Sequence, residues 1–197
     1  YMTAKEEDIL TSQNLISKGV VIDRLLNSLI LTKGVVADDL IIGDKNGLMV
    51  AARILAYGPE YEAEVSNPNT GETFNHVFNL AECEFKKLPD EVDGDTFEFE
   101  LPVSKHKITF KLLNGKDEQV IKEDIEAFKK LNQDVIPELT TRLRHVVKSV
   151  DGDETPATIN IFVQNMLSKD SLELRKEITR VSPDINMERQ IEIGGEM

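Results

Sequence analysis

The chain has 197 residues, with 36 acidic against 23 basic side chains and a formal charge of −13. Nucleic acids and anionic membranes are bound by clustered Lys and Arg, and no basic run here exceeds Lys86-Lys87 or Lys129-Lys130, so neither is an expected partner. With no Trp and only 6% aromatic residues, the core must be built from Leu, Ile and Val, in one large domain or two small ones.

Cys83 is the only cysteine, which excludes an intrachain disulfide and fits a reducing compartment. The longest apolar run, Val20 to Leu31, is broken by Asp23, Arg24 and Asn27 and falls short of the roughly 18 apolar residues of a membrane span. Tyr1 precedes Met2, a plausible native start, and is expected to be an expression remnant. The natural chain is expected to continue beyond Met197.

The first element is a helix. Thr3 with Glu6 three residues on has the spacing of a capping box, and Glu6, Glu7 and Asp8 sit where the helix dipole favours acids. Gly19 is its stop, and Val20, Ile22, Leu25, Leu26, Leu29 and Ile30 predict a second helix with a wide apolar face. Asp44 is expected to cap a third, through Leu48, Met49, Ala52 and Leu55, ended by Tyr57-Gly58-Pro59.

From Glu60 to Leu113 the period becomes two. Glu60–Val65, Thr73–Phe78, Phe97–Leu101 and Lys107–Leu112 alternate, and Asn67-Pro68-Asn69-Thr70-Gly71 and Asp93-Gly94-Asp95 lie in the gaps as turns. These read as antiparallel strands. After Gly115 the helical period returns. Lys116 to Leu131 is predicted as an amphipathic helix with Val120, Ile121, Ile125, Phe128 and Leu131 inward. Pro137 opens the next helix, through Leu139, Leu143, Val146 and Val147, and Asp151-Gly152-Asp153 breaks it. Ile159, Phe162, Val163, Met166 and Leu167 form another apolar stripe. Ser168 or Asp170 caps a last helix through Leu172, Leu174, Ile178 and Val181, ended by Pro183, and Met187 to Ile193 reads as a strand.

Strands grouped apart from helices imply an α+β fold. The expected organisation is a helical part at 1–59, an antiparallel β insertion at 60–114 and a helical part at 115–197 ending in a strand, all compatible with one compact domain.

Few constellations suggest chemistry. Asp151-Gly152-Asp153-Glu154-Thr155 has the DxDxT spacing of haloacid-dehalogenase phosphotransferases, in which one Asp attacks phosphorus and the next is the acid/base at a Mg²⁺ site. That chemistry needs the end of a central parallel strand, whereas this run follows an apparent helix, so an Asp-Gly turn is the better reading. His76, His106 and His145 lack metal-ligand spacings, and His76 with Cys83 does not complete a tetrahedral site. Ile42–Gly47 is loop-like but lacks both GxGxxG and the P-loop pattern. The acids around Asp93 lack the spacing of an EF-hand. No catalytic residue, cofactor or metal site is assigned.

Arg142, Arg144, His145 and Lys148 form the most basic helical stretch of an acidic protein. Arg142 and His145 share one face; Arg144 and Lys148 share another. Ion pairing to nearby acids is the simpler account. The functional alternative is a partner contact through Arg142, Arg144 and His145.

Four blocks together resemble the baseplate hub assembly proteins of T4-like bacteriophages. They are Met2–Leu10; Gly43–Asn46 with Ala51–Ile54 and Tyr57-Gly58; Leu139–His145 with Ser149–Gly152; and Asp170-Ser171 with Leu174-Arg175 and Pro183–Ile185. Many members of that family carry a Cys-x-x-Cys-Gly knuckle where this chain has Ser66-Asn67-Pro68-Asn69-Thr70-Gly71, and a second Cys pair near the C-terminus that Ile191 to Met197 lacks. The β insertion is thus expected to resemble a zinc-ribbon hairpin without its metal ligands, held by packing instead. The resemblance implies a non-enzymatic protein that helps build the hub of a contractile-tail baseplate. It would touch other tail proteins in the host cytoplasm during assembly and remain in the virion if it is a permanent subunit. It implies no nucleic-acid or membrane partner and leaves a homo-oligomer open. The rival reading is a Mg²⁺-dependent phosphohydrolase using Asp151 and Asp153.

Overall fold

A computed structural model describes residues 2–68, 70–131 and 135–191. The architecture is α+β, with α1 (Ala4–Thr11), α2 (Gln13–Ser17), α3 (Val21–Leu29) and α4 (Ile42–Tyr57), then β1 (Glu60–Ser66), β2 (Thr73–Asn79), β3 (Thr96–Glu100) and β4 (Lys107–Lys111). It continues with α5 (Gly115–Lys130), α6 (Glu138–Val146), β5 (Val147–Val150), α7 (Pro156–Gln164) and α8 (Ser168–Val181). The chain divides into two compact units. One is formed by 1–37, 43–86 and 183–197, the other by 38–42 and 87–182. The stretch 60–114 therefore contributes to both: β1 and β2 form a two-stranded antiparallel sheet in the first, and β3 and β4 belong to a sheet in the second.

In the first unit the capping box forms as its spacing predicts. Glu6 Oε2 accepts from the Thr3 amide at 2.9 Å and from its hydroxyl at 2.5 Å. The second predicted helix is α3, with Leu25 and Leu26 buried. Asp44 does not cap α4, which begins two residues earlier at Ile42 and leaves Asp44 in its first turn. The reason is tertiary. Gly43 is buried against the backbone of Pro183, and the helix extends back to carry it there. Gly58 ends α4 with φ of 84°, a conformation glycine adopts without Cβ strain. Late in the chain, Ile185 bridges to Phe85, with the Lys86 amide donating to the Asp184 carbonyl at 2.8 Å. Beyond this bridge, 187–191 is not a strand, and among the described residues no strand pairs with it; residues 192 and 193 of the expected strand lie outside the described residues.

The second unit has a three-stranded antiparallel sheet in the order β3-β4-β5. Its apolar face is the core: Leu101, Ile108, Phe110 and Leu112 pack with Leu143, Val146, Val147 and Val150, and with Ile159, Val163, Leu174 and Val181 from the helices. Strand β5 was not expected. Val147 reads as a continuation of α6, yet the chain leaves the helix at Val146 and pairs with β4, Val150 opposite Ile108. Four residues are too few to display a period of two, and only the ladder to β4 decides their state.

Several residues predicted inward are exposed: Val120, Leu131, Leu139, Leu167 and Leu172. On α5 only Ile121 is buried. At the start of α8, Leu167 occupies the cap position without a side-chain bond, and neither Ser168 nor Asp170 caps the helix.

Candidate functional site

The basic stretch of α6 lies along α5. The Arg142 guanidinium forks onto the Glu118 carboxylate, with Nη1 on Oε1 and Nη2 donating to Oε2 at 2.9 Å. This contact raises the pKa of Arg142, with burial acting in the opposite direction. Further along α5, Asp124 receives both remaining groups: Arg144 Nη2 at 3.7 Å and His145 Nε2 at 3.0 Å from the same oxygen. Each of the three predicted contact residues thus meets an acid of the neighbouring helix. The arrangement ties two helices together, and exposed pairs of this kind stabilise by about 0–1 kcal/mol each.

A second cluster forms where β4 and β5 meet. Asp151 follows directly on β5 and adopts φ of 50°, ahead of Gly152 at 84°. This turn carries the carboxylate back over β4. Asp151 Oδ1 accepts from the Lys107 amide at 2.9 Å and Oδ2 lies 2.6 Å from His106 Nδ1. The His106 contact and then the Lys107 amide hold the Asp151 carboxyl below its ordinary range. The His106 ring also stands edge-on to Phe162, with centroids 5.4 Å apart. Asp153 turns the other way. Its Oδ1 accepts from the Thr155 amide and its Oδ2 from the Thr158 hydroxyl, both at 2.8 Å, which secures the entry to α7. Hydrogen bonds from Thr155 and Thr158 lower its pKa.

The two acids of the DxDxT run are thus not brought together on one substrate. Asp151 does lie at a strand end, contrary to the helix expected before it. However, β5 is an edge strand of an antiparallel sheet rather than a central parallel one. The neighbouring concavity on the outer sheet face is lined by Glu98, Glu100, Lys107, Thr109, Ser149 and Asp151, a set of mixed sign. His76 lies on β2 edge-on to Phe78 at 4.6 Å, and Cys83 ends the short 3-10 turn Leu80–Glu82. Among the described residues, no three His, Cys, Asp or Glu side chains are grouped to hold a metal ion.

Asp170, read from the sequence as a candidate cap of the last helix, has a different role that no local signal shows. It is fully buried in the first turn of α8, and its two oxygens accept from the amides of Val103 at 2.8 Å and Ser104 at 3.0 Å. Burial works against its charge, but these bonds outweigh it and lower the pKa. The loop between β3 and β4 is thereby fixed to α8. Neither this contact nor the His106–Asp151 pair is visible locally, because each joins positions distant in the chain.

A family model described as T4 bacteriophage base plate protein matches residues 1–193. The chain belongs to this family. The resemblance carried by the four sequence blocks is thereby established at the level of a baseplate protein, and membership places it among proteins that interact with other parts of a phage baseplate. Neither the curated proteins nor the solved structures include a significant match. No helix among the described residues of this baseplate protein is long and apolar enough to cross a membrane.

Proposed function

We propose that the chain is an assembly protein of the baseplate hub, acting as a factor or chaperone through protein–protein contacts and catalysing no reaction. The observation that carries this reading is the family match, which spans both compact units. The non-catalytic part is supported by the local use of the acids. All four carboxylate oxygens of Asp151 and Asp153 accept or face hydrogen-bond donors, from the start of β4 and the residue before it or from the entry to α7, so an attacking carboxylate would have to abandon contacts that hold the fold. Partner contacts would use a few desolvated side chains. Arg142, Arg144 and His145 are candidates once their acids are exchanged for those of a partner.

The site of action is then the host cytoplasm during assembly and the tail baseplate. Co-expression with the other hub proteins and pulldown tests the proposal. Recovery of a defined complex is expected, and recovery of none overturns it. Mass spectrometry of purified virions separates an assembly factor, absent from the finished particle, from a permanent structural subunit, present at fixed stoichiometry.

A further inference from the structure

We propose that the free edge of β1 accepts a strand from a partner protein in which apolar residues alternate with Lys or Arg. The β1–β2 sheet has only two strands, and among the described residues no further strand or bridge pairs with β1. Its register places Tyr61 opposite Phe78, Ala63 opposite His76 and Val65 opposite Phe74, all on one face. Glu60, Glu62 and Glu64 alternate onto the other face of the same strand. No residue of either strand is buried. A two-stranded sheet of this kind is marginal in water by itself, and a third strand would cover both the edge and part of the aromatic face.

Charge decides what kind of strand fits. Among the described residues, none of Glu60, Glu62 and Glu64 forms an ion pair with Lys, Arg or His. Glu62 accepts from Asn75 Nδ2 at 2.8 Å. A strand laid beside β1 would set alternate side chains next to this glutamate row and the intervening ones next to Tyr61, Ala63 and Val65. Cations at the first set and apolar groups at the second satisfy both faces at once. A second copy of β1 would align glutamates with glutamates, and the whole chain carries −13. The β2 edge offers Thr73, Asn75, Val77 and Asn79 on that face and has no comparable charge preference. Strand addition of this type draws affinity from main-chain hydrogen bonds and specificity from the alternating side chains. The inference rests on the proposed function only in taking a protein as occupant.

The test uses the full chain, isotope-labelled, titrated with a capped peptide Lys-Val-Lys-Val-Lys-Val-Lys and followed by amide chemical shifts and hydrogen exchange. Two control peptides have the same composition with the lysines grouped, or glutamates in place of lysines. The alternating basic peptide is expected to protect amides of residues 60–66 and to bind about tenfold more tightly than either control. The triple variant Glu60→Gln, Glu62→Gln, Glu64→Gln is expected to lose about tenfold while keeping its β1–β2 cross-strand contacts. Equal binding of the grouped peptide, protection confined to β2, or β1 protection that grows with protein concentration alone would each overturn the proposal. So would an unchanged affinity in the triple variant, which would leave the glutamates as guards against edge pairing. A failed pulldown with the hub proteins would remove the baseplate role and leave the peptide result standing, so the two failures are distinguishable.

Discussion

A Cβ placed on Gly43 would stand 1.7 Å from the carbonyl oxygen of Pro183. No side chain fits that space, and the atom it meets is backbone. The first turn of α4 can therefore lie against the late segment 183–185 only through a glycine. Gly43→Ala is expected to destabilise the first unit by about 2 kcal/mol or more, by overpacking a site that cannot move cheaply. Gly58→Ala, where φ is 84° but no atom lies within 4 Å, is expected to cost about 1 kcal/mol from backbone strain alone. Urea denaturation of the two variants should rank them in that order.

Removing the buried carboxylate of Asp170 leaves the amides of Val103 and Ser104 without acceptors. Asp170→Ala is expected to cost roughly 2–4 kcal/mol, and Asp170→Asn less, since one acceptor oxygen remains. The pH dependence follows from the lowered folded-state pKa. The unfolded chain binds this proton more readily, so the stabilisation is complete above the unfolded Asp value of about 3.9 and is lost as pH falls through the lower folded value. Denaturation midpoints measured from pH 6 down to pH 2 should show an acid loss that is smaller in Asp170→Ala, where Asp151 and Asp153 still contribute theirs.

The forked pair between Arg142 and Glu118 lies at the surface, where solvent screens it. A double-mutant cycle with Arg142→Ala and Glu118→Ala is expected to give a coupling of about 1 kcal/mol or less, falling as salt rises. A coupling well above that value, or one insensitive to salt, would mean that the pair is shielded from water.

The wild-type chain is expected to show no Mg²⁺-dependent turnover of a generic phosphoester above a blank. Asp151→Asn should leave that null result unchanged while removing the charge 2.6 Å from His106 Nδ1. The variant should instead register as a shifted ring resonance of His106. Turnover in the wild type that disappears in Asp151→Asn would reverse the functional reading.

How much was legible in the sequence depended on the range of the interaction. The Thr3–Glu6 box, the stop at Gly58, the β1–β2 pairing and the β3–β4 pairing all arise from residues close in the chain, where a period or a turn is displayed in full. The acidic field was fixed by composition, and the lack of a membrane-length apolar run by the order of residues along the chain. Element faces were less legible. Val120 and Leu131 fit the apolar period of α5 yet are exposed, because a period marks a stripe without showing how much of it the neighbours cover.

The amino-acid order by itself determined the α+β class, the main helices and hairpins, and the blocks that place the chain in the baseplate family. Tertiary structure alone decided that Val147–Val150 is a strand, that α4 reaches back to Ile42, that Arg142, Arg144 and His145 meet acids of α5, and that Asp170 holds a distant loop. Capping and periodicity are encoded by neighbours within a turn or two. A ladder partner, a buried carboxylate's donors and the space beside a glycine come from segments far away in the chain, and they exist only once those segments have packed.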